Sequence, residues 1–312
     1  MRHIFQYLAL MLFCIYLAVF PGSTIVVALD RVPSWGTWMG GALLLLQGAA
    51  ALCWLLGWHG IRGGLAALVV FLLAWAVEHA GVTTGVPFGR YRYTGALQPQ
   101  LFGTVPLAIP CAWLMVAAGA WQLTRNFRTT KDEGQRTNAN ATVLRPSFFV
   151  LRPIDQNRLD GRLALAATLV LLLDLQIETV ATKINQYWIW QDGGLYYGVP
   201  VANFVAWWLT GLAMAVIVAA VLGRQGDRET GRQGDRETGR QAARLMSRVS
   251  RHLPAYLYVL STLMFTIINL ARGYTVAGLI GVIVLLVIAR ATRPAIARST
   301  RFPTVEHAER SD

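Results

Sequence analysis

Eight apolar runs, each close to the roughly 20 residues a helix needs to cross a bilayer, constrain this chain more than any other feature. They cover residues 4–29, 38–56, 65–80, 105–123, 163–181, 201–222, 253–270 and 275–288. In hydrocarbon the backbone polar groups must be satisfied internally, so such runs fold as helices. Only 14% of the 312 residues are charged and 55% are hydrophobic, where a soluble domain carries about 25% charged residues. The expected fold is therefore all-α: a single integral membrane domain over residues 1–312, built as a polytopic transmembrane bundle of about eight helices. Residues 4–20 have the length of a signal peptide, but no small-residue cleavage site follows. Pro21-Gly22 leads instead into more apolar chain, so the run reads as a first helix bent at that dipeptide.

Eight crossings put both termini on one side, and 23 Lys and Arg then share that side. Five lie opposite: Arg31, Arg90, Arg92, Lys183 and Arg272. Since basic residues favour the cytoplasmic side, we expect a multi-pass protein of the cytoplasmic membrane with both termini in the cytoplasm. The net charge of +12 then sits in loops against anionic membrane lipid, and no basic domain stands outside the membrane to serve a nucleic acid. Residues 124–161 and 223–251 read as cytoplasmic linkers, and 291–312 as a cytoplasmic tail. The second linker carries Arg-Gln-Gly-Asp-Arg-Glu-Thr-Gly at 224–231 and again at 232–239. That unit is far shorter than a solenoid repeat, and its glycines and balanced charge suit a flexible connector. Cys14, Cys53 and Cys111 fall inside apolar runs without metal-ligand spacing and read as packing residues.

Three carboxyl groups interrupt the apolar runs: Glu78 in the third, Asp174 and Glu178 in the fifth. An ionisable side chain at the centre of a membrane helix costs about 2.5–3.5 kcal/mol on insertion scales, which makes it a functional candidate by default. Asp174 and Glu178 are four residues apart and share a helix face, which Asn185 extends past the helix end. Glu78 and Glu178 fall near the outer ends of their helices at similar depth, and Asp174 lies about 6 Å deeper. A bland alternative has these acids pair with Arg90, Arg92 or Lys183, or cap helix ends, and merely hold helices together. Acids clustered in a medium of low dielectric hold protons readily, and a protonated acid beside an ionised one is equipment for acid–base chemistry. The three are the candidate catalytic residues. No metal-ligand cluster, phosphate-binding loop or dinucleotide fingerprint accompanies them, so no metal or cofactor is expected.

A short internal repeat joins the two acid-bearing regions. Gly103-Thr-Val-Pro-Leu-Ala-Ile-Pro-Cys-Ala-Trp113 and Gly198-Val-Pro-Val-Ala-Asn-Phe-Val-Ala-Trp207 both place Ala two residues and Trp seven residues after the Val-Pro proline. The third and fourth helices are thus a candidate parallel repeat of the fifth and sixth, related by an axis along the membrane normal. Aromatics gather at the same level, beyond the needs of an interfacial belt, and their faces stabilise cations by about 0.5–2 kcal/mol each. The candidate substrate-binding set is His79, Arg90, Tyr91, Tyr93, Asn185, Tyr187, Trp188, Trp190, Tyr196, Tyr197 and Asn203.

Glu78-His-Ala-Gly-x-x-x-Gly-x-Pro-Phe-Gly-x-Tyr-x-Tyr93, with Tyr196-Tyr-Gly-Val-Pro-x-x-Asn203-Phe and Trp207-x-x-Thr210-Gly, resembles the CruF-type carotenoid hydratase family. The likeness covers the third to sixth helices; the octad-bearing linker departs from the family pattern but lies on the opposite side of the membrane from the motifs. The resemblance implies cofactor-independent addition of water across the terminal 1,2 double bond of an acyclic carotenoid in the bilayer, giving a tertiary alcohol, with other carotenoid-pathway enzymes as neighbours. In that scheme Glu78 is the acid, Asp174 and Glu178 serve as base and cation stabiliser, and Asn203 and Tyr197 position the water. A membrane carotenoid cyclase shares the protonation step, and a proton-coupled transporter would also place carboxyls at a repeat interface; both readings stay open from sequence.

Overall fold

Each apolar run forms a helix. The computed structural model describes residues 2–126, 156–222 and 249–292. It contains α1 (Arg2–Ala28), α2 (Met39–Thr84), α3 (Ala108–Asn126), α4 (Gln156–Thr179), α5 (Val201–Leu222), α6 (Leu253–Ala271) and α7 (Thr275–Thr292). The second and third runs fuse into α2, whose 46 residues would be about 69 Å long if straight, enough for two crossings. The helix breaks at Gly60 (φ 62°, ψ −145°), a conformation open to glycine because it lacks Cβ. Among the described residues eight membrane-length rods result, as the sequence predicts. The octad repeat and most of the stretches expected as linkers and tail lie outside the described residues; helix extends to Asn126 before the first and resumes at Gln156 after it.

Among the described residues six helical stretches, α2 counted once, are long and apolar enough to cross a membrane. α3 is the helix that falls short, and its position explains why. It is buried on nearly every side from Trp113 to Thr124, so it has protein neighbours rather than lipid around it. It affords Gln122 there because the side chain is satisfied: Nε2 donates to the Arg251 carbonyl at 2.5 Å, and Oε1 accepts from Ala255 N–H at 3.3 Å.

Small residues let the helices approach closely, as expected where lipid supplies no hydrophobic drive between them. A Cβ on Gly48 of α2 would stand 2.5 Å from Cys111 Cβ of α3, and one on Gly119 of α3 would stand 2.6 Å from the Pro254 carbonyl of α6. Polar pairs stitch α4 to α6: Tyr258 Oη donates to the Leu169 carbonyl at 2.6 Å, and Asn269 Nδ2 to the Gln176 carbonyl at 3.0 Å.

Among the described residues the four strands are short and stand at one end of the bundle. β1 (Tyr91–Tyr93) pairs antiparallel with β4 (Trp188–Trp190), and β2 (Gln100–Leu101) with β3 (Val105–Pro106). This loop face holds the parallel repeat. The second limb of α2 and α4 both end there, and α3 and α5 both begin there. The loops before α3 and α5 share a backbone signature as well. Phe102-Gly103 and Tyr197-Gly198 are both left-handed, with φ of 50°, 68°, 49° and 81° in that order.

Candidate active site

Glu78 lies in the last two turns of α2, which ends at a left-handed cap, Gly85 (φ 79°), whose N–H donates to the Gly81 carbonyl at 2.9 Å. Glu178 occupies the corresponding place in α4, which widens directly after it into a π-helical turn, Val180–Ile184. Such turns recur at functional sites. From both helix ends the chain returns as a strand, and β1 and β4 meet in the register Tyr91↔Trp190, Arg92↔Ile189, Tyr93↔Trp188. Because strand side chains alternate, Arg92 and Ile189 point out while four rings point down onto the bundle. Backbone bonds lock the ribbon: Thr94 N–H to the Tyr187 carbonyl at 2.9 Å, and Gln191 N–H to the Arg90 carbonyl at 2.8 Å.

The inward rings are hydrogen-bond donors, and each strand serves its own helix's acid. Tyr91 and Tyr93 Oη donate to Glu78 Oε2 at 2.6 and 2.7 Å, and Trp113 Nε1 of α3 donates to Oε1 at 3.0 Å. Trp188 and Trp190 Nε1 donate to Glu178 Oε2 at 3.3 and 2.9 Å, and Asn203 Nδ2 of α5 donates to Oε1 at 3.2 Å. Each carboxyl group thus receives two ring donors from its strand and a third donor from the following helix. At the junction of the two halves the repeated tryptophans, Trp113 and Trp207, stack with centroids 3.9 Å apart and planes 20° apart. Burial, and then the adjacent Glu78 carboxyl, push the Tyr91 and Tyr93 phenols well above their ordinary value, so both keep their protons.

Two differences break the symmetry. Asp174 has no counterpart, since Ala74 takes the matching place in α2. The donors also differ in kind. Indole and amide N–H groups around Glu178 can only donate, whereas the Tyr91 and Tyr93 hydroxyls on Glu78 can donate or accept. Asp174 is fully buried and meets Asn203 Nδ2 through Oδ2 at 3.1 Å, while its Oδ1 has no protein partner.

A largely apolar cavity of about 620 Å³ opens beneath the ribbon. Glu78, Glu178, Asn203, Tyr91, Tyr93, Trp188, Trp190, Trp113 and Trp207 line one end, and Asn185 and Tyr187 line it further out. Of the expected residues, Asp174 stands behind Asn203 rather than on the wall. Four others lie elsewhere. His79 Nδ1 meets Thr104 Oγ1 at 3.0 Å and its ring stacks on Trp75. Arg90 is bound to Asp192 at 2.9 Å with its side chain 69% exposed. Tyr196 Oη donates to the Leu175 carbonyl, and Tyr197 Oη accepts from Val276 N–H. Among the described residues no basic group pairs with the three acids, and Arg90 is taken by Asp192 instead. Trp113 and Trp207 are site residues that the candidate set misses, although the proline-to-tryptophan repeat already marked both.

Fold and site together define a polytopic helical membrane protein with two buried, donor-saturated carboxyl groups at the end of an apolar chamber. The chain belongs to the family described as carotenoid biosynthesis protein, whose profile matches residues 39–288. Over 167 residues it is 29% identical to the bisanhydrobacterioruberin hydratase of Haloarcula japonica, an alignment covering 54% of this chain and 48% of that protein. The chain therefore spans about half the length of the curated relative it matches. No solved structure matches it. Family membership places the protein in carotenoid biosynthesis.

Proposed function

We propose that the protein adds water across the terminal 1,2 double bond of an acyclic carotenoid end group, of the lycopene, γ-carotene or C50 type, by acid–base chemistry of its own side chains. The observation that carries this reading is the unequal partnering of two carboxyl groups on one apolar cavity. Glu178, facing three obligatory N–H donors, is suited to the carboxylate form. Glu78 can hold a proton on Oε2, because the hydroxyls there can turn to accept it. An acid and a base are thereby assigned across the repeat junction.

Glu78 gives its proton to C2 of the terminal isopropylidene unit, and the π pair becomes the new C2–H bond. The tertiary cation left at C1 lies among aromatic faces, which stabilise it, and near the Glu178 carboxylate. Water bonds to C1 while Glu178 takes one of its protons, leaving a tertiary alcohol. Transfer of that proton back to Glu78 resets the site, so only water is consumed. Tyr91, Tyr93 and Trp113 hold the Glu78 carboxylate formed on the way, an oxyanion-hole role. Asp174 acts through Asn203 as a positioning residue.

The test is expression in cells that make lycopene, followed by mass spectrometry of the pigments. A product heavier by one water, lost in Glu78→Gln at unchanged protein abundance, is expected. A product of unchanged mass with a shifted spectrum would make the protein a cyclase, and full activity in Glu78→Gln would overturn the acid assignment.

A further inference from the structure

The cavity does not end under the ribbon. It continues between α1, the first limb of α2 and α6, and its α1 wall consists of Val19, Gly22, Ser23, Val26 and Val27. Spacings of three and four residues put all five on one helix face. That face is apolar over most of its length, because Ser23 Oγ donates to the Phe20 carbonyl of its own helix at 3.0 Å. α1 is the least buried of the membrane spans, with 17% of its most apolar stretch inside the protein. Val19 and Gly22 line the cavity and are themselves exposed. Beyond its own stretch of helix backbone, no heavy atom lies within 4 Å of the place a Gly22 Cβ would take.

We infer that the chamber is loaded sideways from the bilayer through the gap beside α1 at Val19 and Gly22, so that a linear isoprenoid enters end first and reacts with its far end still in lipid. The gap lies about 9 Å inside the end of α1, six residues from Ala28, and therefore at membrane depth. The loop-face end of the same cavity carries charge: Asp30 and Arg31 line it beside Val32, Pro33 and Trp35, and Asp30 is held by Arg272 at 2.6 Å. An apolar chain would pass there only beside these charges. Only the leading end of a threaded chain reaches Glu78, so interior double bonds are spared and the chemistry of the trailing end is immaterial. This rests on the hydration reading for its substrate class.

The full chain is placed in phosphatidylcholine liposomes with Cys14, Cys53 and Cys111 replaced by Ala and a single new cysteine from Gly22→Cys. Ile25→Cys, exposed on α1 but away from the cavity, is the control. Lycopene at about four times its Kd should slow labelling of the Gly22→Cys protein by a lipid-soluble N-alkyl maleimide about fivefold, leaving the control unchanged. Equal rates with and without lycopene overturn the portal. The readout needs no turnover, so the two ideas fail separately. Protection without a hydrated product keeps the portal and sinks hydration, and a hydrated product without protection does the reverse. Gly22→Trp, which fills open space, should cut lycopene conversion about tenfold or more at unchanged protein abundance; unchanged conversion also overturns the portal.

Discussion

Replacing Tyr91 and Tyr93 by Phe removes two oxygen atoms and nothing else from the site. Both hydroxyls meet Glu78 Oε2, at 2.6 and 2.7 Å. In the resting acid each bond is a neutral one worth about 1 kcal/mol, and after proton transfer each becomes a bond to a carboxylate worth about 1.5–3 kcal/mol. Only the difference lowers the barrier, about 0.5–2 kcal/mol per hydroxyl. At about 1.4 kcal/mol, Tyr93→Phe costs roughly tenfold in rate and the double variant roughly a hundredfold. Trp113 still donates to Oε1, so Glu78 keeps its place and the protein should remain folded. The assay is initial-rate hydration of lycopene in isolated membranes, with abundance and thermal midpoint measured beside it. A double variant within threefold of the wild-type rate, at wild-type abundance, would show that charge does not develop on Glu78.

Glu178→Gln keeps the shape of the side chain but leaves no base facing Trp188, Trp190 and Asn203; hydration should fall below detection while pigments and protein still co-purify. Gly119→Val pushes α3 from the Pro254 carbonyl and Tyr258 Cβ, which a Cβ would meet at 2.6 and 2.8 Å; overpacking of this kind costs about 1–3 kcal/mol and should lower the thermal midpoint by several degrees. Arg90→Ala, outside the cavity, should leave turnover within about twofold, as expected for an exposed ion pair. The Arg90 guanidinium and backbone N–H hold the Asp192 carboxyl below its ordinary range. With a depressed folded value, that tie is fully present above the ordinary carboxylate range and is lost as pH falls through the folded value. Hydrogen exchange at the Arg90 amide should accelerate over that acidic window in wild type and lose the transition in Asp192→Asn.

The sequence alone carries the eight rods, because a segment's fate against a bilayer depends on its own apolarity and length. It carries the break before residue 65, the acids in oil and the proline-to-tryptophan repeat, all local or periodic properties. α3 shows where that logic strains: a helix surrounded by protein escapes the demand for apolar side chains, and its rod was legible only from a run that begins earlier, at Val105. The site itself depends on pairing across a hundred residues. Tyr91 meets Trp190 and Tyr93 meets Trp188, and that ribbon turns four belt-like aromatics into donors for two carboxyl groups. Tyr196, Tyr197, His79 and Arg90 sit at the same level and look alike in sequence, yet they satisfy other partners. Whether Asp174 faced the cavity, which α1 residues walled it and that Trp113 bonded Glu78 were decided by packing between helices, where side-chain direction has no signature in the order of residues.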